Sequence, residues 1–227
     1  MLQYDDMPTY IQGMGRTTRQ HIAMSPQACT EKLIVSKNAK RAATVANVLL
    51  RIPAHILNLA VRAGTTVYIL APKERYSSAS GELTTLGIDV DTWPAPPAGL
   101  FVVKEKTVYL RSISDMTVAH EFGHAVDAAL GGGVYRSGSD QDIRRAYNDA
   151  RSFVTPYACT GKDEFFAEAF RSMLSCNSTA SPWPKVSPER LKACNPDMFD
   201  IMQALFAPPT SPYVIPFNAS AQEANAA

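Results

Sequence analysis

Residues 120–124 read His-Glu-Phe-Gly-His. On a helix, two histidines four apart point to one side, because 3.6 residues complete a turn. Two imidazoles so placed can hold a single zinc ion. The glutamate between them can take a proton from a water that the metal activates. The chain contains 4 histidines in all, so half of its imidazoles fall within these five residues.

A catalytic zinc usually has three protein ligands and a fourth position for water. The extended pattern HExxHxxGxxH needs Gly and His where this chain has Asp127 and Leu130, and is excluded. Thermolysin-like enzymes place a glutamate about 20 residues on. No glutamate occurs here between Glu121 and Glu164, so that pattern survives only if Asp140 or Asp142 substitutes.

The next glutamate is Glu164, within Thr160-Gly-Lys-Asp-Glu-Phe-Phe-Ala-Glu-Ala-Phe. Thr160 and Asp163 have capping-box spacing and predict a helix start. Glu164 and Glu168 share one face of that helix, and Phe165, Phe166, Ala169 and Phe170 cover the other. Carboxylates beside so apolar a segment are costly to bury unpaired. A zinc ion and its histidines would relieve the cost. Glu164 can ligate the metal, and Glu168 can accept a hydrogen bond from the ring N–H of His120 or His124. Asp127, three residues after His124, is a further candidate for supporting a ligand histidine.

The elements that must carry these residues are legible in outline. Residues 1–37 have weak periodicity and predict an irregular N-terminal extension. Ala42, Val45, Ala46, Leu49 and Leu50 recur at helical spacing, Pro53 interrupts, and a second helix stops at Gly64. Thr65 to Leu70 predicts a buried strand. A polar stretch leads to the loop Trp93-Pro-Ala-Pro-Pro. Leu100-Phe-Val-Val and Thr107-Val-Tyr-Leu, separated by Lys104-Glu-Lys, predict a hairpin. Ser114 caps the metal-motif helix and Gly131-Gly-Gly closes it. Helices follow over Asp140 to Phe153, after Thr160, and from Asp197 to Phe206. The expected organisation is an extension (1–37), one domain (38–207) and a flexible Pro/Ala-rich tail (208–227).

With Lys+Arg 22 against Asp+Glu 21 and a net charge of +1, no global field points to nucleic acid. No apolar run is long enough to span a bilayer. The first residues lack a secretory signal, which predicts a cytoplasmic protein, one exported by another route, or a secreted one whose signal has been removed. Cys29, Cys159, Cys176 and Cys194 have no CxxC spacing and predict free thiols rather than a cysteine zinc site.

The stretches His120-Glu-Phe-Gly-His-Ala-Val-Asp and Glu164-Phe-Phe-Ala-Glu-Ala-Phe-Arg resemble the two metal-site helices of the anthrax lethal factor catalytic domain and the related bacterial Pro-Pro endopeptidases. In that family a tyrosine seven residues before the ligand glutamate helps stabilise the oxyanion, and Tyr157 stands at that spacing. The resemblance implies an α+β, zincin-like fold: a small mixed sheet with an edge hairpin, packed against several helices including the HExxH and glutamate-ligand helices. It implies His120, His124 and Glu164 as ligands of one Zn2+, Glu121 as general base and Tyr157 as electrophile. The expected substrate is a protein or peptide bound as an extended strand. Two alternatives are a cytosolic regulatory metalloprotease cleaving a repressor-type protein and a catalytically silent zinc-stabilised binding module.

Overall fold

The computed structural model describes residues 23–209. Ser25 accepts the Ala28 N–H and opens α1 (Pro26–Leu33), which runs into the two-residue strand β1 (Ile34–Val35). Asn38 caps α2 (Ala39–Leu49). After Pro53 comes α3 (Ala54–Ala63), closed by Gly64 at φ 80°, a left-handed turn that glycine adopts freely. β2 (Thr66–Ile69) follows, then two short helices, α4 (Tyr76–Ala79) and α5 (Gly81–Leu86), and a 3-10 turn at Val90–Thr92. β3 (Gly99–Val102) and β4 (Thr107–Leu110) form the hairpin. α6 (Asp115–Leu130) carries the histidine motif. The remaining helices are α7 (Gln141–Asn148), α8 (Lys162–Met173), α9 (Pro188–Cys194) and α10 (Pro196–Phe206).

The sheet order is β1-β2-β4-β3. The β1/β2 and β2/β4 pairs are parallel, and β3 lies antiparallel to β4 at one edge. Alternation along the strands sends Val67, Ile69, Phe101, Val108 and Leu110 to the larger core, with Leu49, Ile56, Val118, Phe122 and the phenylalanines of α8. The other sheet face packs Leu70, Val102 and Tyr109 against Tyr76, Leu83 and Val90. The fold is therefore α+β with a small mixed sheet and an edge hairpin, as expected. α6 is buried from Thr117 to Ala129, lying between the sheet and α8. Fully burying a Phe such as Phe122 or Phe170 stabilises the fold by roughly 1.5–3 kcal/mol.

Several expectations need correction. The described part of the segment read as irregular holds α1 and β1, and β1 extends the sheet. Cys29 and Leu33 bury one face of α1, a stripe too short for periodicity to register. Residues 1–22, and all but two of the expected tail, lie outside the described residues. The capping box does not form: Gly161 caps α8, and the Thr160 hydroxyl donates to the Tyr157 carbonyl at 2.8 Å. α7 ends at Asn148 rather than Phe153, while α4, α5 and α9 are helices in stretches to which the sequence reading assigns no element. All four cysteines are free thiols. Among the described residues no helix is long and apolar enough to cross a membrane.

Candidate metal centre

The site is built where α6 crosses α8. Gly123, inside the histidine motif, makes that crossing close: a Cβ there would stand 3.0 Å from Ala167 Cα and 3.3 Å from Phe170 Cβ. Any larger residue would push α8, and Glu164 with it, away from the histidines.

His120, His124 and Glu164 come together, one ligand atom from each lying within 4.8 Å of the others. Glu164 Oε2 is 3.0 Å from His120 Nε2 and 3.3 Å from His124 Nε2. Despite that proximity it has no hydrogen-bond partner; the contacts are close but not directed as N–H···O bonds are. Three atoms bonded to one zinc at about 2.0–2.1 Å in roughly tetrahedral directions would stand about 3.3 Å apart. The donor set and its spacing therefore fit a zinc ion.

Charge argues the same way. Glu121, Glu164 and Glu168 surround two imidazoles, and one buried guanidinium, that of Arg171, offsets only part of the negative charge. Burial works against a charged His120, but the adjoining carboxylates of Glu164 and Glu168 win and push its pKa up to about 10. The cluster thus draws in a positive charge, which a proton supplies without metal and a divalent cation would supply with it. Burial opposes the Glu164 carboxylate as well, yet the two histidines hold its pKa well below the usual range.

Behind the ligands, Glu168 Oε1 accepts from His120 Nδ1 at 2.9 Å, leaving Nε2 free for a metal. Arg171 grips Glu168 in a fork, Nε to Oε1 at 2.6 Å and Nη2 to Oε2 at 2.7 Å, and its Nη1 donates to the Cys176 carbonyl. The Thr155 hydroxyl also donates to Glu168. Burial would raise the Glu168 pKa, but His120 and Arg171 bring it down to about 2.

Glu121 is buried at 9 % exposure. Burial raises its carboxyl pKa, with the two histidines pulling the other way, which makes it a better proton acceptor than an exposed glutamate. The Tyr157 ring lies 5.5 Å from that of His120, and its hydroxyl donates to Glu164 Oε1 at 3.0 Å. Burial first, then the Glu164 charge, lifts its pKa above the ordinary phenol range, so the phenol keeps its proton.

Asp127 does not support a ligand histidine. Its carboxylate accepts from Ser137 N at 2.9 Å and Ser137 Oγ at 2.6 Å, tying the loop after α6 back to the helix. That loop presents Tyr135, whose ring stands 5.6 Å from His124. Asp140 caps α7 and Asp142 pairs with Arg145 at the surface, so neither substitutes for Glu164. His55 bonds the Leu205 carbonyl; His21 lies outside the described residues.

Four contributors were not anticipated from sequence. Arg171 carried a signal, an arginine three residues after Glu168 in an apolar helix, whereas Thr155, Tyr135 and Gly123 carried none.

No protein-family profile matches the chain, and no curated protein matches it. Among solved structures the chain is similar to the Pro-Pro endopeptidase from Paenibacillus alvei, with a TM-score of 0.55 and 23% identity over 78% of this chain and 100% of that one. At this identity the likeness establishes a shared fold.

Proposed function

We propose, with that shared architecture as premise, that the chain is a zinc-dependent endopeptidase with a zincin-like, lethal-factor-like catalytic domain. The observation that carries this reading is the convergence of His120, His124 and Glu164 beside a buried, otherwise unemployed Glu121. His120, His124 and Glu164 would hold the zinc, which when bound lowers the pKa of a coordinated water to about 7 and polarises a carbonyl oxygen. Glu121 takes the proton of the attacking water and passes it to the leaving amine. The Tyr157 hydroxyl turns from Glu164 to donate to the oxyanion that develops on the scissile carbonyl. An extended peptide adds to the free edge of β3.

Chelator-sensitive cleavage of a diverse peptide library by the purified protein tests the reading. Cut sites that disappear with chelator and return with zinc are expected, and their sequences report whether proline matters. One zinc per chain with no cleavage would overturn it in favour of a binding role. Tyr157→Phe should lower kcat by roughly 10²–10³ with metal content unchanged; loss of zinc in that variant would assign Tyr157 to metal retention instead.

A further inference from the structure

The Glu121 carboxylate must be aimed, yet among the described residues no hydrogen bond fixes its side chain. What confines it is steric. A Cβ built on Gly99, the first residue of β3, would stand 2.4 Å from Glu121 Cγ, 3.0 Å from Glu121 Cδ and 2.9 Å from Thr117 Cγ2. Real side chains do not approach so closely, so Glu121 occupies the space that a side chain at position 99 would fill.

Backbone conformation does not explain the glycine. Among the described residues the positive-φ glycines are Gly64, Gly87, Gly132 and Gly133, so Gly99 has a φ open to any L-residue. Nor can the strand retreat. The Tyr76 hydroxyl, on a fully buried ring, donates to the Pro97 carbonyl at 2.9 Å. The Ala98 carbonyl accepts from Arg111 N at 3.0 Å and Ser112 N at 2.8 Å, and Gly99 is in register with Leu110. Because Ala98 bonds towards β4, the alternation of an antiparallel ladder turns the N–H and C=O of Gly99 and Phe101 to the free edge. Position 99 thus touches the general base through its α-carbon and offers its backbone outward.

We propose that Gly99 is a positioning residue for Glu121: its missing side chain sets where the base lies relative to a peptide on the β3 edge. This rests on Glu121 being the base. In Gly99→Ala the new methyl displaces the Glu121 side chain while the edge backbone, and therefore peptide binding, is retained.

The test pairs Gly99→Ala with Glu121→Gln. For Gly99→Ala the expected results are a crystal structure with Glu121 in a new rotamer and β3 in place, zinc content unchanged, and kcat down about 10²-fold with KM within about threefold. A merely structural glycine would not split kcat from KM in this way. If the crystal structure shows Glu121 unmoved and β3 shifted, the proposal is overturned whatever the activity. If Glu121→Gln is inactive and Gly99→Ala is fully active, the proposal alone fails. If Glu121→Gln retains full activity, the reading of Glu121 as base fails with it.

Discussion

Glu121→Gln is expected to lower turnover on the order of 10⁴-fold, the upper end of what a positioned base contributes, while leaving zinc content and the fold intact. The amide has nearly the shape of the carboxylate and cannot accept the proton of the attacking water. Metal retention follows because the convergent donors come from His120, His124 and Glu164. Stability moves the other way. Glu121 is buried and its carboxyl pKa is raised by that burial, so a neutral isostere removes a desolvation cost. The thermal midpoint of the variant should equal or exceed that of the parent. Peptide assays, metal analysis and thermal melts on one preparation check all three outcomes. A variant that is inactive because it unfolds would point to a structural role for Glu121.

The second large effect is on stability. Arg171 has 1 % relative exposure and holds a carboxylate that is itself 3 % exposed. Arg171→Met fills much of the same volume but leaves Glu168 short of its cationic partner. Removing one member of a buried pair costs roughly 3–5 kcal/mol. For a domain of this size that corresponds to a fall in melting temperature of roughly 6–20 °C. The pH dependence has a definite sign. The Glu168 pKa is depressed from 4.5 to about 2, so the stability its ionised form contributes is complete above about 4.5 and lost as pH falls towards 2. The gap between parent and variant, followed by denaturant unfolding of the chelated protein, should be widest near neutrality and narrow below pH 4.5. A gap that stays constant with pH would mean that Arg171 acts by packing alone.

Much of this architecture could be read from residue order because the chemistry is local. His120, Glu121 and His124 declare themselves within a single turn and a half of helix. Glu164 and Glu168 do so by lying four apart in a segment otherwise too apolar to tolerate them. The hairpin and the helix break at Pro53 follow from equally short-range signals. What escaped was set by tertiary packing. Gly123 reads as a weak point in a helix, and only the nearness of Ala167 shows its use. Asp127 sits at helical spacing from His124, yet Ser137 competes for its carboxylate and wins with two hydrogen bonds. β1 was overlooked because two residues carry no alternation, and its pairing partner lies more than thirty residues away. The Thr160–Asp163 cap failed because the Thr160 hydroxyl satisfies the preceding 3-10 turn instead.

The placement of the hairpin also bears on solubility. An unpaired strand edge is a template for self-association, and proteins that must keep one exposed usually keep it short. Here one outer strand, β1, has two residues, and the other, β3, has four. Beyond β3 the chain turns at once through the exposed Lys104 and Lys106, charges that discourage a second copy from continuing the ladder. The molecule can thus leave a strand edge unpaired with little risk of forming fibrils through it.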